Sequence, residues 1–86
     1  MKAKTILEHI TRFMKENDFD VVFGKGAFTG GHCIINENRV VVVNKRVPAE
    51  EQIRVLSMVI LELGLDYSNL RKEAKEFVER FSLKSE

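Results

Sequence analysis

The residues in this chain best suited to metal or nucleophilic chemistry are a histidine and a cysteine that lie side by side, His32 and Cys33. An imidazole and a thiolate are both metal ligands, and a thiolate is also a nucleophile. The residues around them have the composition of a β-strand, in which neighbouring side chains point to opposite faces. We therefore expect no shared metal site, with Cys33 as a small apolar residue and His32 as a hydrogen-bonded or solvated one.

A glycine-rich segment precedes this pair, since Gly24 to Gly31 holds four of the five glycines in the chain. Backbone N–H groups of such loops bind phosphate in two well-known motifs. The dinucleotide motif would need glycine at Thr29, and the P-loop motif would need lysine at His32. Both motifs also require a helix to follow, whereas a strand is predicted here, so the pattern favours a turn-forming loop. The candidate ligand-binding residues of this segment are Gly26, Gly30, Gly31 and His32.

Glu62 is the third candidate, because it is the one carboxylate inside a long apolar run. A glutamate in an apolar pocket can have a raised pKa and act as a general base. On a helical wheel, however, Glu62 lies at the boundary of the polar face, which indicates exposure or an ion pair on the helix surface. An enzyme or small-ligand binder would need Glu62, His32 and the glycine-rich loop to converge on one pocket, with Cys33 as a further candidate.

The elements that must position these residues are predicted from hydrophobic periodicity. Amphipathic stripes indicate a first and a last helix, and β-branched runs indicate three strands. The last two strands are predicted to form an antiparallel hairpin, in which Asn38 takes the left-handed geometry of the turn. The expected fold is one α+β domain of 86 residues with the order α-β-β-β-α-α and the helices largely on one face of a small sheet. The predicted ranges are 3–16, 20–23, 32–36, 39–44, 48–66 and 68–82.

The segment from Pro48 to Asp66 is the most apolar of the predicted helices. Pro48 is expected as its first helical residue, and Ser68 or Asp66 as the N-cap of the helix that follows. A helical wheel places one broad apolar face of the central helix toward the sheet. The opposite side carries polar residues and, among them, a second apolar patch. The second patch is either covered by the last helix or is an interaction face, for example of a homodimer. The face predicted to meet the sheet is Ile53, Leu56, Val59, Ile60 and Leu63, the polar markers are Glu50, Arg54 and Ser57, and the second patch is Met58, Leu61 and Leu65.

Composition limits the classes of function. Fourteen basic and thirteen acidic residues give a net charge of +1, so we expect no nucleic-acid partner. The single cysteine excludes an internal disulfide and, with no apolar segment of membrane-spanning length and no signal peptide, indicates a soluble cytoplasmic protein. A cluster of cations at one end of the hairpin is expected to be a solvated sheet edge. Its members are Lys25, Arg39, Lys45 and Arg46.

The region from Phe28 to Leu70 resembles the zincin core of ImmA/IrrE-type zinc metallopeptidases. The similarity lies in the Gly-Gly-x-Cys start of a strand, a valine-rich strand that ends in asparagine, and a proline-started helix with a Leu-Glu-Leu-Gly-Leu core. The family carries His-Glu-Leu-Gly-His in that helix, with two zinc-binding histidines and a water-activating glutamate. Here the pentapeptide aligns with Leu61 to Leu65, so both ligand positions are leucine and Glu62 alone matches a functional residue. The resemblance implies a degenerate relative without zinc, cofactor or catalysis.

No residue pattern specifies a reaction or a substrate. The expected function is a non-catalytic protein-interaction or regulatory domain, with an unknown protein partner or a second copy of the chain. The alternative is a small-ligand binder or enzyme that uses the segment Gly24 to Gly31 with His32 and Glu62.

Overall fold

The structure is a computed structural model and describes residues 2–26, 30–35 and 37–84. The described part has the predicted α+β class and the predicted element order. The elements are α1 Ala3–Glu16, β1 Phe19–Gly24, β2 Gly30–Ile35, β3 Asn38–Asn44, α2 Ala49–Glu62 and α3 Lys72–Lys84.

The sheet has the order β1-β3-β2, with the valine-rich strand β3 in the centre. Strands β2 and β3 are antiparallel, which confirms the predicted hairpin, and β1 runs parallel to β3. Among the residues that the structure describes, β1 and β2 are therefore the two edge strands.

Alternate residues of the central strand face the helices. Val41 and Val43 are completely buried on that side. Val22 of β1 and Ile35 of β2 lie on the other side of the sheet, where they are 49% and 52% exposed. The helices thus cover one face of the sheet, as the sequence predicts.

The hairpin turn differs from the prediction in one residue. Glu37, with φ 70°, takes the left-handed conformation that was expected of Asn38, and Asn38 is the first residue of β3. Asn36, predicted as the end of β2, lies outside the described residues. At the other end, β2 begins at Gly30, two residues earlier than predicted, because Gly30 and Gly31 pair with Val43 and Val42.

Helix α2 begins one residue later than predicted. Pro48 has ψ 156° and is the N-cap residue, so Ala49 is the first helical residue. Glu50 and Glu51 lie in the first turn, where carboxylates interact favourably with the helix dipole. Of the face predicted to meet the sheet, four residues are buried, but Leu63 is 40% exposed because it follows the last helical residue.

Helix α2 ends at Glu62 rather than at Asp66, and glycine is the reason. Gly64 has φ 62°, and the N–H of Leu65 donates to the carbonyl of Ile60 over 3.0 Å. The Gly64 N–H also donates to Leu61, at 3.2 Å. This pair of bonds is a Schellman motif, which stops a helix at a left-handed residue. Leu61 therefore lies on the last turn of the helix, and Leu65 lies beyond it.

The third helix begins at Lys72, four residues later than predicted. Its predicted N-cap candidates form a turn instead, in which the N–H of Ser68 donates to the Asp66 carboxylate at 3.0 Å. That hydrogen bond lowers the pKa of Asp66. The predicted apolar stripe of α3 is present, with Ala74 and Val78 completely buried.

The three helices pack on one another, and both α1 and α2 pack on the sheet. Helix α1 contacts β1, α2 contacts β2 and β3, and α3 contacts the two other helices. Because several sides of α2 are covered, Ser57, which the wheel assigns to a polar side, is completely buried.

Candidate functional site

The structure brings together two of the residues that the sequence singles out, His32 and Glu62. The Nε2 atom of His32 lies 3.2 Å from the Oε2 atom of Glu62, although the residues are 30 positions apart in the chain. His32 pairs with Val41 in the sheet and therefore points to the side on which α2 lies. Glu62 meets it because it is the last residue of α2. Both side chains are partly exposed.

A groove of about 150 Å³ lies beside this pair, between strand β2 and helix α2. Its strand wall includes Gly30 and Gly31, which have no side chains to fill the space. The helix wall is apolar except at the mouth, where the charged side chains lie. The complete lining is Gly30, Gly31, His32, Arg54, Val55, Met58, Val59 and Glu62.

Arg54 is the cation at this mouth, and its guanidinium group is held by neighbours on the same helix. Its Nη2 atom lies 2.9 Å from Glu51 Oε2, and its Nε donates to the same oxygen at 3.0 Å. Its Nη1 atom lies 3.5 Å from the sulfur of Met58. The groove therefore has an apolar interior and a mouth with charges of both signs, which suits an apolar group more than a single ion.

The arrangement offers binding chemistry rather than a recognisable catalytic set. His32 and Glu62 offer an imidazole and a carboxylate beside the groove, but the side chain of Cys33, the candidate nucleophile, lies outside the described part of the structure. Within the described residues, no group of three or more histidine, cysteine, aspartate or glutamate side chains is arranged to hold a metal ion.

Only part of the glycine-rich segment Gly24 to Gly31 is known to line the groove. Gly30 and Gly31 belong to β2 and line the groove, whereas residues 27–29 lie outside the described residues. The carbonyl of Gly26 accepts a hydrogen bond from Asn44 Nδ2 at 2.9 Å, which ties this part of the segment to the end of β3.

The predicted interaction face of Met58, Leu61 and Leu65 is divided between two places. Met58 is exposed and lines the groove beside β2. Leu61 and Leu65 are partly buried and pack against the hydrophobic core. Among the three, Met58 is therefore the exposed residue.

The four cations expected at one end of the hairpin are also divided. Lys25 and Lys45 lie at one end of the sheet, where the N–H of Lys45 donates to the carbonyl of Gly24 at 2.9 Å. Arg39 lies at the opposite end, with its guanidinium group 4.5 Å from the centre of the Phe19 ring. The length of β3 separates Arg39 at its start from Lys45 after its end, and the parallel pairing of β1 with β3 places Lys25 beside Lys45.

The free edge of strand β2 is a feature that the sequence analysis missed. Ile34 is 72% exposed and points to the helix side of the sheet, and Ile35 is exposed on the other side. The strand contains no charged residue and no proline. Natural edge strands usually carry a charge, a proline or a bulge that discourages pairing with another chain. The uncharged composition is visible in the sequence, but the position of β2 at an edge depends on the strand order.

No helix within the described ranges is long and apolar enough to cross a membrane. Comparisons of the chain with protein-family models, with curated proteins and with solved structures found no match.

Proposed function

We propose that this chain is a non-catalytic protein-interaction domain that adds an extended segment of a partner polypeptide to the free edge of β2. One observation carries the proposal: β2 is an uncharged edge strand with isoleucines exposed on both of its faces, Ile34 at 72% and Ile35 at 52%.

The physical basis is β-strand addition. An edge strand presents backbone N–H and C=O groups that an extended peptide can pair with, and side-chain contacts on the two faces then select the peptide. Covering an exposed isoleucine stabilises a complex by about 1.5 to 3 kcal/mol when its burial is complete. With Ile34 on one face and Ile35 on the other, an added strand gains apolar contact on both sides.

The other edge of the sheet is less suited to such pairing. Strand β1 carries the exposed carboxylate of Asp20, whereas β2 has no charged residue. A charged residue on an edge strand disfavours pairing with an apolar peptide. The difference between the two edges favours β2 as the recognition surface.

The resemblance to ImmA/IrrE-type domains is compatible with a binding role. Leucine side chains have no atom that binds zinc, so a chain with Leu61 and Leu65 at the ligand positions would keep the framework without the peptidase chemistry. We propose on this ground that the domain is not an enzyme, and from its single cysteine that it acts in the cytoplasm.

Peptide selection tests the proposal without a known partner. A displayed library of ten-residue linear peptides is selected on the immobilised protein, and the selected peptides are titrated against wild type and variants. We expect apolar residues at alternate positions of the peptides, and a loss of affinity of at least about tenfold in Ile34→Lys, because strand pairing would bury a charge.

Val22→Lys is the matched control, because Val22 is 49% exposed on the other edge strand. Its affinity for the selected peptides is expected to equal that of wild type. Peptides that bind Ile34→Lys as well as wild type, or that lose affinity only in Val22→Lys, would rule out β2 as the recognition surface.

A second candidate function, a small-ligand binder, is favoured by the 3.2 Å contact between His32 and Glu62 at the mouth of the groove. A fragment library screened by NMR is expected to shift the amide signals of Gly30 and Gly31 and the methyl signal of Met58. Glu62→Gln is expected to weaken the fragments that carry a cationic group, since it removes the carboxylate charge but keeps the shape. Fragments that shift these signals equally in wild type and Glu62→Gln would contradict a role for the pair.

A further inference from the structure

We infer that the strand added to β2 is the β2 strand of a second copy of this chain, and that Ile34 of each copy enters the groove of the other. This inference rests on the proposed function, because it names the partner of the same edge. It joins two features that are separate in the monomer, the exposed Ile34 and the groove between β2 and α2.

Symmetry determines how two such strands can pair. A two-fold axis perpendicular to the sheet makes the strands antiparallel and keeps both helix layers on the same side, so the two sheets form one sheet of six strands. Directly opposed residues of an antiparallel pair point to the same face of the sheet. The two-fold axis must therefore pass beside a residue that faces its own copy, and we consider two such registers, one with the axis at His32 and one with the axis at Cys33. Ile34 of the second copy then lies opposite Gly30 in one register and opposite His32 in the other. Both residues line the groove.

The groove fits this side chain in size and in polarity. Its volume is about 150 Å³, and apolar cavities of about that size hold a benzene-sized group. The four-carbon side chain of isoleucine is no larger. The interior wall is formed by Val55, Met58 and Val59, and the glycines on the strand side leave the approach open.

The helices can also be accommodated. Helix α2 contacts both β2 and β3 and so lies above the space between them. With strands about 4.8 Å apart, the two α2 helices of the dimer would lie about 10 Å apart near the axis, which is the usual distance for packed helices. Met58, exposed in the monomer, would be covered there.

Charge does not oppose the assembly. The strand that pairs with itself carries no charged residue, and the net charge of each copy is only +1. An edge-strand pair with two side-chain contacts is nonetheless a small interface, of less than about 1,200 Å² in total, and interfaces of that size are weak. We therefore expect a dissociation constant in the micromolar range, on the order of 10 to 100 µM.

Sedimentation velocity on wild type, Ile34→Lys and Val22→Lys over about 5 to 500 µM tests the inference. We expect wild type and Val22→Lys to approach twice the monomer mass of 9.9 kDa, and Ile34→Lys to stay monomeric. Ile34 is mostly exposed, so the far-UV circular dichroism and melting temperature of Ile34→Lys should match those of wild type at about 5 µM, where wild type is expected to be largely monomeric. Isotope-filtered NMR on a mixed-label sample should show contacts between the Ile34 methyl groups of one copy and the Met58 methyl group of the other.

Two results would overturn the inference. One is a wild type that stays monomeric at every concentration, and the other is a dimer that survives Ile34→Lys or lacks the contact between Ile34 and Met58. The proposed function has a separate test, since selected peptides that bind β2 of a monomeric wild type would support strand addition while excluding the second copy as its natural occupant.

Discussion

Leu56→Ala is expected to lower the free energy of unfolding by about 3 to 4 kcal/mol. Leu56 is completely buried on α2, the helix that contacts both the sheet and the other two helices. The substitution removes three carbon atoms from the core and leaves a cavity that the surrounding side chains fill only in part. Because a domain of this size has a total stability of about 4 to 13 kcal/mol, the variant would lose a large share of it. Urea denaturation followed by circular dichroism measures the change.

Leu63→Ala is the control for this experiment. The helical periodicity assigns Leu63 to the same face as Leu56, but the structure exposes it after the end of α2. Its truncation is expected to cost less than about 1 kcal/mol, as for an exposed position. Equal losses in the two variants would show that α2 continues past Glu62 and that Leu63 is buried.

Gly30→Ala is expected to destabilise the protein by about 2 to 4 kcal/mol, through backbone strain and steric overlap together. Gly30 has φ 98°, a conformation that residues with a Cβ atom rarely adopt. A Cβ atom at this position would lie 2.6 Å from the carbonyl oxygen of Val42 and 3.5 Å from Val55 Cγ1. The oxygen belongs to the central strand and cannot move away without disturbing the sheet. Thermal and urea denaturation measure the effect.

The neighbouring Gly31 provides a matched substitution. Its φ of 158° is also one that residues with a Cβ atom rarely adopt, but a Cβ atom there would meet nothing within 4 Å. Gly31→Ala is therefore expected to destabilise the protein through backbone strain alone, by about 1 kcal/mol and by less than Gly30→Ala. A Gly31→Ala variant as unstable as Gly30→Ala would contradict the geometry of the start of β2.

Much of the fold is predictable because local patterns determine it. The stripe of α1, the valine run of β3 and the two isoleucines of β2 each indicate one element. The helix ends are less predictable, since the wheel treats Leu65 as helical although Gly64 forms a left-handed stop. The parallel pairing of β1 with β3 is a non-local contact that no local pattern encodes.

The candidate site is harder to predict than the fold. His32 and Glu62 each look like ordinary surface residues, and their contact requires both the orientation of β2 and the end of α2 at Glu62. The glycine-rich pattern indicates a turn-forming loop, because the density of glycine alone does not distinguish a loop from a strand that a helix approaches closely, as at Gly30. The exposure of Ile34 depends on the strand order, which places β2 at an edge.

Amide hydrogen exchange of β2 tests most directly whether its free edge is the binding surface. NMR on dilute protein, with and without a saturating peptide selected on wild type, measures exchange at every backbone amide. Outward-pointing amides of residues 30–35 are expected to exchange quickly in the free protein and at least about tenfold more slowly in the complex, because the added strand accepts their hydrogen bonds. Amides of the β1 edge should be unchanged. Slower exchange along β1, or unchanged exchange in β2 with peptide bound, would contradict the account.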